Sequence, residues 1–334
     1  GAAIGFVGFL ILHTPLQQWI ISWHGERADF GFHNAEHAGI FFGSAMLCTL
    51  IFSVRIFRLF SSYVKILAIA AWGLFFFLVL WGIIATQVRA VWLALFVSLL
   101  FTLPIVSLMT GALKTLSLWF KEHKYTFFFM LLGVFVFLVM FIGIFKVHER
   151  ISARLVQEDI KVETIRHAAN FDEKLQLTSS GARIAMWRAA FDWIAERPML
   201  GWGVFSAEKL IAADERFTPT FKEWFGHLHN SYVEVLVATG IVGLTCMLAI
   251  VAMIYRNVYI TWRAGAMPLD VFLFSWAFLT FWGIVNFFES YINYKTGFYL
   301  NSVMFGFIYA FCLHYRTALS TLREKSGMTR PGAQ

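Results

Sequence analysis

Long apolar stretches with few charged residues dominate the pattern of the chain. Residues 64–86 and 126–146 are each about 20 residues long and nearly uncharged, which is enough to cross the roughly 30 Å hydrocarbon core of a bilayer. Strands of a membrane β-barrel would alternate apolar and polar side chains, whereas these stretches stay apolar throughout. The pattern therefore predicts an all-α, polytopic membrane protein built as a helical bundle.

Eight stretches of the chain are candidate transmembrane helices. The first is the weakest, because His13, Pro15 and two glutamines interrupt it. The chain also starts inside this apolar stretch with no charged signal region before it, so we expect further spans to precede it in the full protein. The predicted spans are residues 1–22, 37–54, 65–85, 90–110, 126–146, 231–255, 270–288 and 297–314.

Basic residues gather in alternate loops between the predicted spans. If the spans simply alternate, these loops and the C-terminal tail lie on one side, which the positive-inside rule makes the cytoplasm. The opposite side, which is the periplasm in a Gram-negative inner membrane, then holds residues 23–36, 87–89, 147–230 and 289–296. The basic residues are Arg55, Arg58, Lys65, Lys114, Lys121, Lys124, Arg256, Arg263, Arg316, Arg323, Lys325 and Arg330.

The predicted topology divides the chain into four regions of an inner-membrane protein. Residues 1–146 form an N-terminal block of transmembrane helices, and residues 147–230 form a long periplasmic loop with amphipathic helices. Residues 231–315 form a C-terminal block of transmembrane helices, followed by a cytoplasmic tail at residues 316–334.

Composition and charge agree with a membrane protein and exclude a nucleic-acid partner. Hydrophobic residues make up 59% of the chain and charged residues 14%, whereas a soluble domain carries roughly 25% charged residues. Residues 146–223 hold twelve basic and twelve acidic side chains, so the net charge of +7 comes mostly from the cytoplasmic loops. Membrane lipids are therefore expected partners.

The periplasmic loop is predicted to be mostly helical. A charged amphipathic stretch covers about residues 150–176, and a second helix runs from a cap at Ser179 or Ser180 to the residues before Pro198. Apolar residues at spacings of three and four form a stripe on this second helix, as on a helix that lies on a membrane surface. The stripe consists of Ile184, Trp187, Phe191 and Ile194, with Arg183 and Arg188 at its edges.

The stretch GHLHNSYVEVLVATG, residues 226–240, places polar groups immediately before a long apolar run. Ser231 and Glu234 have the spacing of a capping box, so a helix is predicted to begin near Ser231. His229 then lies at the periplasmic end of a membrane helix. The helix dipole disfavours an imidazolium there, so we expect a neutral ring that can accept a proton.

Several arginines are predicted to lie on the same membrane surface as His229. Arg89 begins a predicted span at that surface, and Arg183 and Arg188 belong to the loop that ends at His229. A guanidinium offers a rigid fork of donors that suits phosphate oxygens, and a neutral histidine can take a proton from an attacking hydroxyl. This set of residues favours group transfer from a phosphate-linked lipid donor to a hydroxyl acceptor, with the arginines stabilising the charge on the leaving pyrophosphate.

Three stretches of the chain resemble one family of enzymes. They are TQVRAVWLAL (Thr86–Leu95), GARIAMWRAAFDWIAERPMLGWG (Gly181–Gly203) and HNSYVEVLVATGIVGL (His229–Leu244), in this order and with a long loop between two membrane blocks. The chain is similar to the O-antigen ligase family, within the superfamily that also includes O-antigen polymerases and bacterial protein O-oligosaccharyltransferases. The resemblance covers most of the chain from about residue 30 onward.

The resemblance implies a GT-C-like glycosyltransferase with a periplasmic active site. Its implied reaction moves a whole O-antigen glycan from undecaprenyl pyrophosphate to an outer-core sugar of lipid A–core, with no metal and no cofactor. It implies that His229 is the general base and that Arg89 and Arg183 bind pyrophosphate, and we add Arg188 as a further candidate. His227 and Asn230 are possible supporting residues. Direct attack by the acceptor hydroxyl would invert the anomeric configuration of the donor.

Metal binding and simple anchoring are the alternatives for these side chains. His227 and His229 could bind zinc, but the sequence offers no convincing further ligand nearby, and His33 with His37 would share one helix face. The chain contains no Asp-x-Asp motif for a divalent ion on a sugar phosphate. The arginines could also be interfacial anchors whose long side chains reach out of the membrane.

Three other functions stay open from the residues alone. An O-antigen polymerase uses the same donor with a lipid-linked glycan as acceptor, and a protein O-oligosaccharyltransferase uses a Ser or Thr hydroxyl. A transporter of lipid-linked oligosaccharide should carry polar or charged residues at mid-membrane depth. The predicted spans contain few of these, which favours an enzyme.

Overall fold

The protein is described from a computed structural model, which defines residues 16–24, 26–59, 62–110, 170–172 and 178–325. Regular structure in these residues is entirely helical. The helices are α1 (Leu16–Trp23), α2 (Ala35–Leu59), α3 (Ser62–Thr86), α4 (Arg89–Thr110), α5 (Ser179–Glu196), α6 (Ser206–Ala213), α7 (Pro219–Trp224), α8 (Ser231–Arg263), α9 (Leu269–Val285) and α10 (Lys295–Lys325), with a 3₁₀ turn at Tyr291–Asn293.

The predicted all-α architecture is confirmed in the described residues, and four of the helices there are long and apolar enough to cross a membrane. They cover Ala35–Ser53, Ile66–Thr86, Ser231–Arg263 and Lys295–Thr321, each at a predicted span. Two more predicted spans correspond to shorter apolar helices, Arg89–Thr102 and Leu269–Val285. The predicted span at residues 126–146, most of the span at residues 1–22 and most of the amphipathic stretch at residues 150–176 lie outside the described residues.

The chain divides into two compact units, and the first contains residues 1–168 with Thr280–Val285. Here α2 packs closely against α3, where the ring of Phe42 fills the space that a side chain at Gly82 would need. Arg27 joins the ends of these helices, because its Nε donates to the Thr86 carbonyl at 3.1 Å and its Nη2 pairs with Glu36 at 2.7 Å. Charged side chains therefore fix the end of α3 just before Arg89.

The second unit contains residues 169–279 and 286–334 and includes all of α5 to α8. Its core forms between α5, α6, α7 and the start of α8, and α5 contributes mainly small residues. The buried residues of this core are Ala182, Ala185, Met186, Ala189, Ala190, Trp193, Ala207, Ile211, Phe217, Phe221, Leu228 and Val237. Alanines leave the helix surface flat, so the large rings of Phe217 and Phe221 fit into the same core.

The apolar stripe predicted for α5 is not its buried face. Phe191 is 57% exposed, and Trp187 and Ile194 are only partly buried at the edge of the core. Alanines form the buried surface of α5 instead. The placement of the stripe on a membrane surface stays a prediction. The predicted cap was wrong by one residue: Thr178, before Ser179, accepts a hydrogen bond from the Gly181 N–H at 3.1 Å. The predicted end of the helix before Pro198 is confirmed.

The loop after α5 binds to an interruption in α8. Gly240 has φ of +64°, which breaks the helical hydrogen bonds around it. The loop replaces them: the Ile241 N–H donates to the Pro198 carbonyl at 2.8 Å, and the Trp202 N–H donates to the Val237 carbonyl at 2.9 Å. Residues 198–203 (PMLGWG) therefore bind to the first third of α8, which positions α5 beside the start of that helix.

Candidate active site

The start of α8 is capped by Asn230. Its side-chain oxygen accepts hydrogen bonds from the N–H groups of Tyr232 at 3.0 Å and Val233 at 3.2 Å. The predicted start at Ser231 is confirmed, but the predicted capping box is wrong, because Asn230 takes the capping position. Asn230 is buried, and its observed role is to cap the helix that begins directly after it.

The side chain of Glu234 points back to the segment before the helix. It accepts a hydrogen bond from the Leu228 N–H at 2.9 Å and lies 3.2 Å from the Ser290 hydroxyl. Its carboxylate therefore ties the turn after α9 to the segment that carries the histidines.

Residues 286–290 run alongside residues 228–231 and bring a second acidic side chain to the site. The Ser231 N–H donates to the Asn286 carbonyl at 2.8 Å, and the Asn230 N–H donates to the Ser290 hydroxyl at 3.1 Å. The Ser231 hydroxyl also donates to the Asn286 side chain at 2.5 Å. These bonds place Glu289 opposite the histidines, although it follows them by sixty residues in sequence.

Glu289 and His229 form the central contact of the site. Oε2 of Glu289 lies 2.7 Å from Nδ1 of His229, and the carboxylate side chain is only 3% exposed. Burial alone would raise the pKa of Glu289, but the hydrogen bond from His229 and the positive charges of His229 and His227 outweigh it and lower the pKa from 4.5 to about 2. A buried, ionised carboxylate therefore faces one nitrogen of the ring and leaves Nε2 for another partner.

This carboxylate changes the expected electrostatics of His229. The sequence suggested a ring kept neutral by the helix dipole alone. A carboxylate at hydrogen-bond distance instead holds the tautomer with hydrogen on Nδ1 and stabilises positive charge whenever Nε2 takes a proton. Such an arrangement suits a group that accepts a proton during a reaction.

The backbone at His229 is strained. Its φ is +49°, a left-handed conformation that is uncommon for residues other than glycine. Strain of this kind persists where surrounding contacts fix it, and it concentrates at functional sites. Here the contact with Glu289, the cap at Asn230 and the bond from the Leu228 N–H to Glu234 hold the residues around this conformation.

His227 lies directly beside His229, with the two ring centroids 4.0 Å apart. Nδ1 of His227 is 3.3 Å from the His229 N–H, which donates to it, and 3.6 Å from Oε1 of Glu289. Its Nε2 contacts the hydroxyl of Tyr294. His227 therefore links the pair of His229 and Glu289 to the beginning of α10.

A cavity of about 340 Å³ opens beside this cluster. The cavity is lined by Phe205, Glu208, Trp224, Gly226, His227, Glu234, Asn293 and Tyr294. The cluster is thus adjacent to a space that a small group can enter.

The predicted arginines lie in different surroundings. Arg183 is on α5, one turn before Trp187, whose indole N–H donates to the Leu228 carbonyl at 2.9 Å. Residues four apart share one face of a helix, so Arg183 lies on the side of α5 that approaches the histidine segment. Arg89 begins α4 and belongs to the first unit.

Arg188 occupies a more exposed position on α5. Its guanidinium lies 3.6 Å from Asp192, and its side chain is 56% exposed. The same aspartate accepts a hydrogen bond from Arg216 at 2.6 Å, and Arg216 also pairs with Asp214 at 2.6 Å. A carboxylate already shared with another arginine thus partly neutralises Arg188.

Two predictions about metal ligands are corrected by the structure. A third potential ligand does lie beside His227 and His229, because the nitrogen and oxygen ligand atoms of these residues and Glu289 are all within 4.8 Å of one another. His33 lies before the start of α2 at Ala35, so it does not share a helix face with His37, and no third ligand lies beside this pair among the described residues.

Glu289 and Tyr294 were missed by the sequence analysis. Both fall in the short polar turn between two apolar stretches, on the side of the membrane assigned to His229. An acidic residue in so short a turn was the signal that could have identified Glu289 as a partner for the histidine.

Comparison with known proteins agrees with the resemblance seen in the three motifs. No curated protein shows a significant match to the chain. The sequence model of the family described as O-antigen ligase matches residues 74–248, just over half of the 334 residues. The match includes Arg89, Arg183 and His229, whereas Glu289 lies beyond it. The chain belongs to the O-antigen ligase family.

Proposed function

We propose that the protein is an O-antigen ligase, a glycosyltransferase of lipopolysaccharide biosynthesis. It would transfer O-antigen glycan from undecaprenyl pyrophosphate to a hydroxyl of lipid A–core at the periplasmic side of the inner membrane. The observation that carries this proposal is the buried Glu289 carboxylate 2.7 Å from Nδ1 of His229, since it leaves Nε2 as a proton acceptor. Membership of the family supports the substrate class.

In the proposed reaction, Nε2 of His229 takes the proton of the acceptor hydroxyl. The oxygen forms a bond to the anomeric carbon of the donor, and the bond from that carbon to the pyrophosphate oxygen breaks. The pyrophosphate, still attached to its lipid carrier, leaves with the electron pair of the broken bond. Because the hydroxyl attacks from the side opposite the pyrophosphate, the configuration of the anomeric carbon is inverted. Glu289 would stabilise the imidazolium that forms, as the carboxylate of a catalytic triad does.

The arginines would hold the pyrophosphate. Its oxygens match the planar fork of a guanidinium, and charge developing on the leaving group is stabilised by donors that are already in place. Arg183 is supported by its place on the face of α5 that contains Trp187. Arg89 is supported by the family resemblance and predicted topology, and Arg188 is a weaker candidate because Asp192 pairs with it. The reaction as proposed uses neither a metal nor a cofactor.

The acceptor separates this proposal from its nearest alternatives. Purified protein with lipid-linked glycan should be offered lipid A–core, a second lipid-linked glycan or a serine-containing peptide in parallel reactions. Glycan transfer to lipid A–core, and to neither other acceptor, is the expected result. Transfer to the lipid-linked glycan would make the protein a polymerase, and transfer to the peptide would make it a protein glycosyltransferase. Movement of the lipid-linked glycan across vesicles without transfer would favour a transporter.

A further inference from the structure

The cavity beside His227 has walls of unusual composition for a phosphate-binding enzyme. Two carboxylates, from Glu208 and Glu234, line it, and no lysine or arginine is among the described residues of its walls. Carboxylates repel phosphate oxygens, and they are good acceptors for hydroxyl donors. The cavity therefore suits an uncharged, hydroxyl-rich group better than the pyrophosphate of the donor.

Two exposed aromatic side chains border the same cavity. Trp224 is 64% exposed at the end of α7, and Phe205 is 70% exposed just before α6. Phe205 has φ of +60°, so the backbone adopts an unfavourable conformation at the residue that presents this ring. Aromatic rings combined with oxygen acceptors match a sugar ring, which has apolar C–H faces and hydroxyls at its edge.

The polar groups at the inner end of the cavity are held in place. Glu234 is fixed by the Leu228 N–H at 2.9 Å and lies 3.2 Å from the Ser290 hydroxyl. The Asn293 side chain also hydrogen-bonds to Glu234. A carboxylate has about four acceptor positions, so these three contacts leave one for a ligand. The hydroxyl of Tyr294 contacts Nε2 of His227 at the same end. A volume of about 340 Å³ fits a small ligand rather than a polyprenyl chain.

We propose that this cavity binds the acceptor sugar, a neutral hexose unit that packs on Trp224 and Phe205 and donates hydroxyl hydrogen bonds to Glu208 and Glu234. The inference rests on the proposed function, because it assigns the cavity to the molecule that supplies the attacking hydroxyl. The donor is a poorer match, since its reactive carbon carries the pyrophosphate that two carboxylates would repel. His227 lines the cavity, and its ring meets that of His229 edge to face with the centroids 4.0 Å apart, so a hydroxyl bound beside His227 would lie near the proposed base.

Sugar binding can be measured without transfer. Saturation-transfer NMR on the purified protein in detergent would use methyl glucoside and methyl galactoside as neutral probes and glucose 6-phosphate as an anionic probe. We expect a neutral glycoside to receive saturation and glucose 6-phosphate to bind at least about tenfold more weakly, because of the carboxylates. Absence of signal for both glycosides, or equal binding of the phosphate, would overturn the proposal.

Variants of cavity residues, each with a matched control, show where the glycoside binds and whether that site also binds the acceptor during transfer. Trp224→Ala should weaken glycoside binding and raise the KM for lipid A–core about five- to tenfold. The KM for the lipid-linked donor should stay unchanged. Trp224→Phe keeps an aromatic ring and should restore most of the lost acceptor binding. Phe191→Ala, at a similarly exposed aromatic residue on α5, should change neither value. Glu208→Gln should weaken the preference for the neutral probe over the phosphate, whereas Glu215→Gln, an exposed acidic residue outside the cavity, should not.

The two proposals fail in different ways. His229→Ala should abolish transfer and keep glycoside binding, because the imidazole of His229 does not line the cavity. Unchanged glycoside binding and unchanged acceptor KM in Trp224→Ala would reject the sugar subsite while His229 stays the proposed base. Full activity in His229→Ala together with glycoside binding would reject the base and leave the subsite standing.

Discussion

Two pairs of histidines lie close together in sequence, and the structure surrounds them differently. His33 and His37 contact each other with ring centroids 5.5 Å apart, and His37 is fully buried. His227 and His229 are closer, at 4.0 Å, and both face Glu289 from a distant segment. Both pairs are close in sequence, four and two residues apart, so the buried carboxylate is what distinguishes a candidate site from a packed pair.

The backbone differs between the two pairs as well. His37 lies in the first turn of α2, where its N–H donates to the side chain of Asn34 at 3.0 Å, as in an ordinary helix cap. His229 has φ of +49° immediately before the cap of α8. A strained conformation beside a buried carboxylate indicates that contacts are maintained there at a cost in stability, which is typical of functional residues.

Replacement of the two histidines should give the largest difference between the pairs. His229→Ala removes the proposed proton acceptor, and general-base assistance is worth about 10²–10⁴-fold in rate. We expect a loss of that size in glycan transfer to lipid A–core, with membrane insertion and donor binding preserved. His33→Ala, at an exposed histidine of the other pair, should transfer glycan at the wild-type rate. If His229→Ala keeps more than about a tenth of the wild-type transfer rate, His229 is not the general base.

Neutralising Glu289 should have the next largest effect. Glu289→Gln keeps the shape of the side chain but removes the charge that stabilises the imidazolium, and hydrogen bonds to charged groups are worth about 1.5–3 kcal/mol. We expect transfer to fall roughly 10- to 100-fold, measured at matched expression. Glu223→Gln, at an exposed acidic residue of α7, serves as the control and should have no effect. Equal activity of the two variants would mean that the carboxylate only supports the fold.

The same pair should make stability depend on pH. The pKa of Glu289 is about 2 in the folded protein and 4.5 ordinarily, so its ionisation stabilises the folded state fully above pH 4.5. That contribution is lost as the pH falls from 4.5 towards 2. Thermal melts of the wild type should therefore show a steeper fall over this range than melts of Glu289→Gln. Parallel curves for the two proteins would contradict the assigned interaction.

Smaller losses are expected when the proposed pyrophosphate ligands become lysines. An ammonium cannot reproduce the bidentate fork of a guanidinium, so Arg183→Lys and Arg89→Lys should each weaken donor binding and transfer by about tenfold. Arg188→Lys should lose less, because Asp192 already pairs with Arg188. Side chains that only anchor helices need a long stem and a charge, which lysine supplies. Near-normal transfer in both Arg183→Lys and Arg89→Lys would show that these arginines do not bind the pyrophosphate of the donor.

Apolar runs were sufficient to predict most of the described helices. Continuous hydrophobic stretches located α2, α3 and α8, because a bilayer requires length and apolarity that are visible locally in the sequence. The end of α5 before Pro198 was equally local, since proline disfavours helix at the preceding residue. Local signals of this kind needed no knowledge of tertiary contacts.

The errors arose where tertiary contacts decided the outcome. Glu234 has the spacing of a capping residue, but in the fold it accepts a hydrogen bond from the Leu228 N–H and lies beside the Ser290 hydroxyl. Alanines such as Ala185 and Ala189 contribute little to a hydrophobic pattern, yet they form the packed face of α5. Glu289 reaches His229 across sixty residues, and no periodicity or spacing encodes that approach. The histidine was therefore predictable and its partner was not.

The smallest effect is expected from removal of metal ions, and it tests which kind of site the second histidine pair forms. His227, His229 and Glu289 could supply three ligand atoms to a metal. The same atoms are already used, because Nδ1 of His229 meets the carboxylate at 2.7 Å and Nδ1 of His227 accepts the His229 N–H at 3.3 Å. We therefore expect full transfer activity after EDTA treatment, and a milder loss in His227→Ala than in His229→Ala. Loss of activity under chelation that zinc restores, together with equal losses in the two variants, would instead make the pair a metal site and remove His229 as a free base.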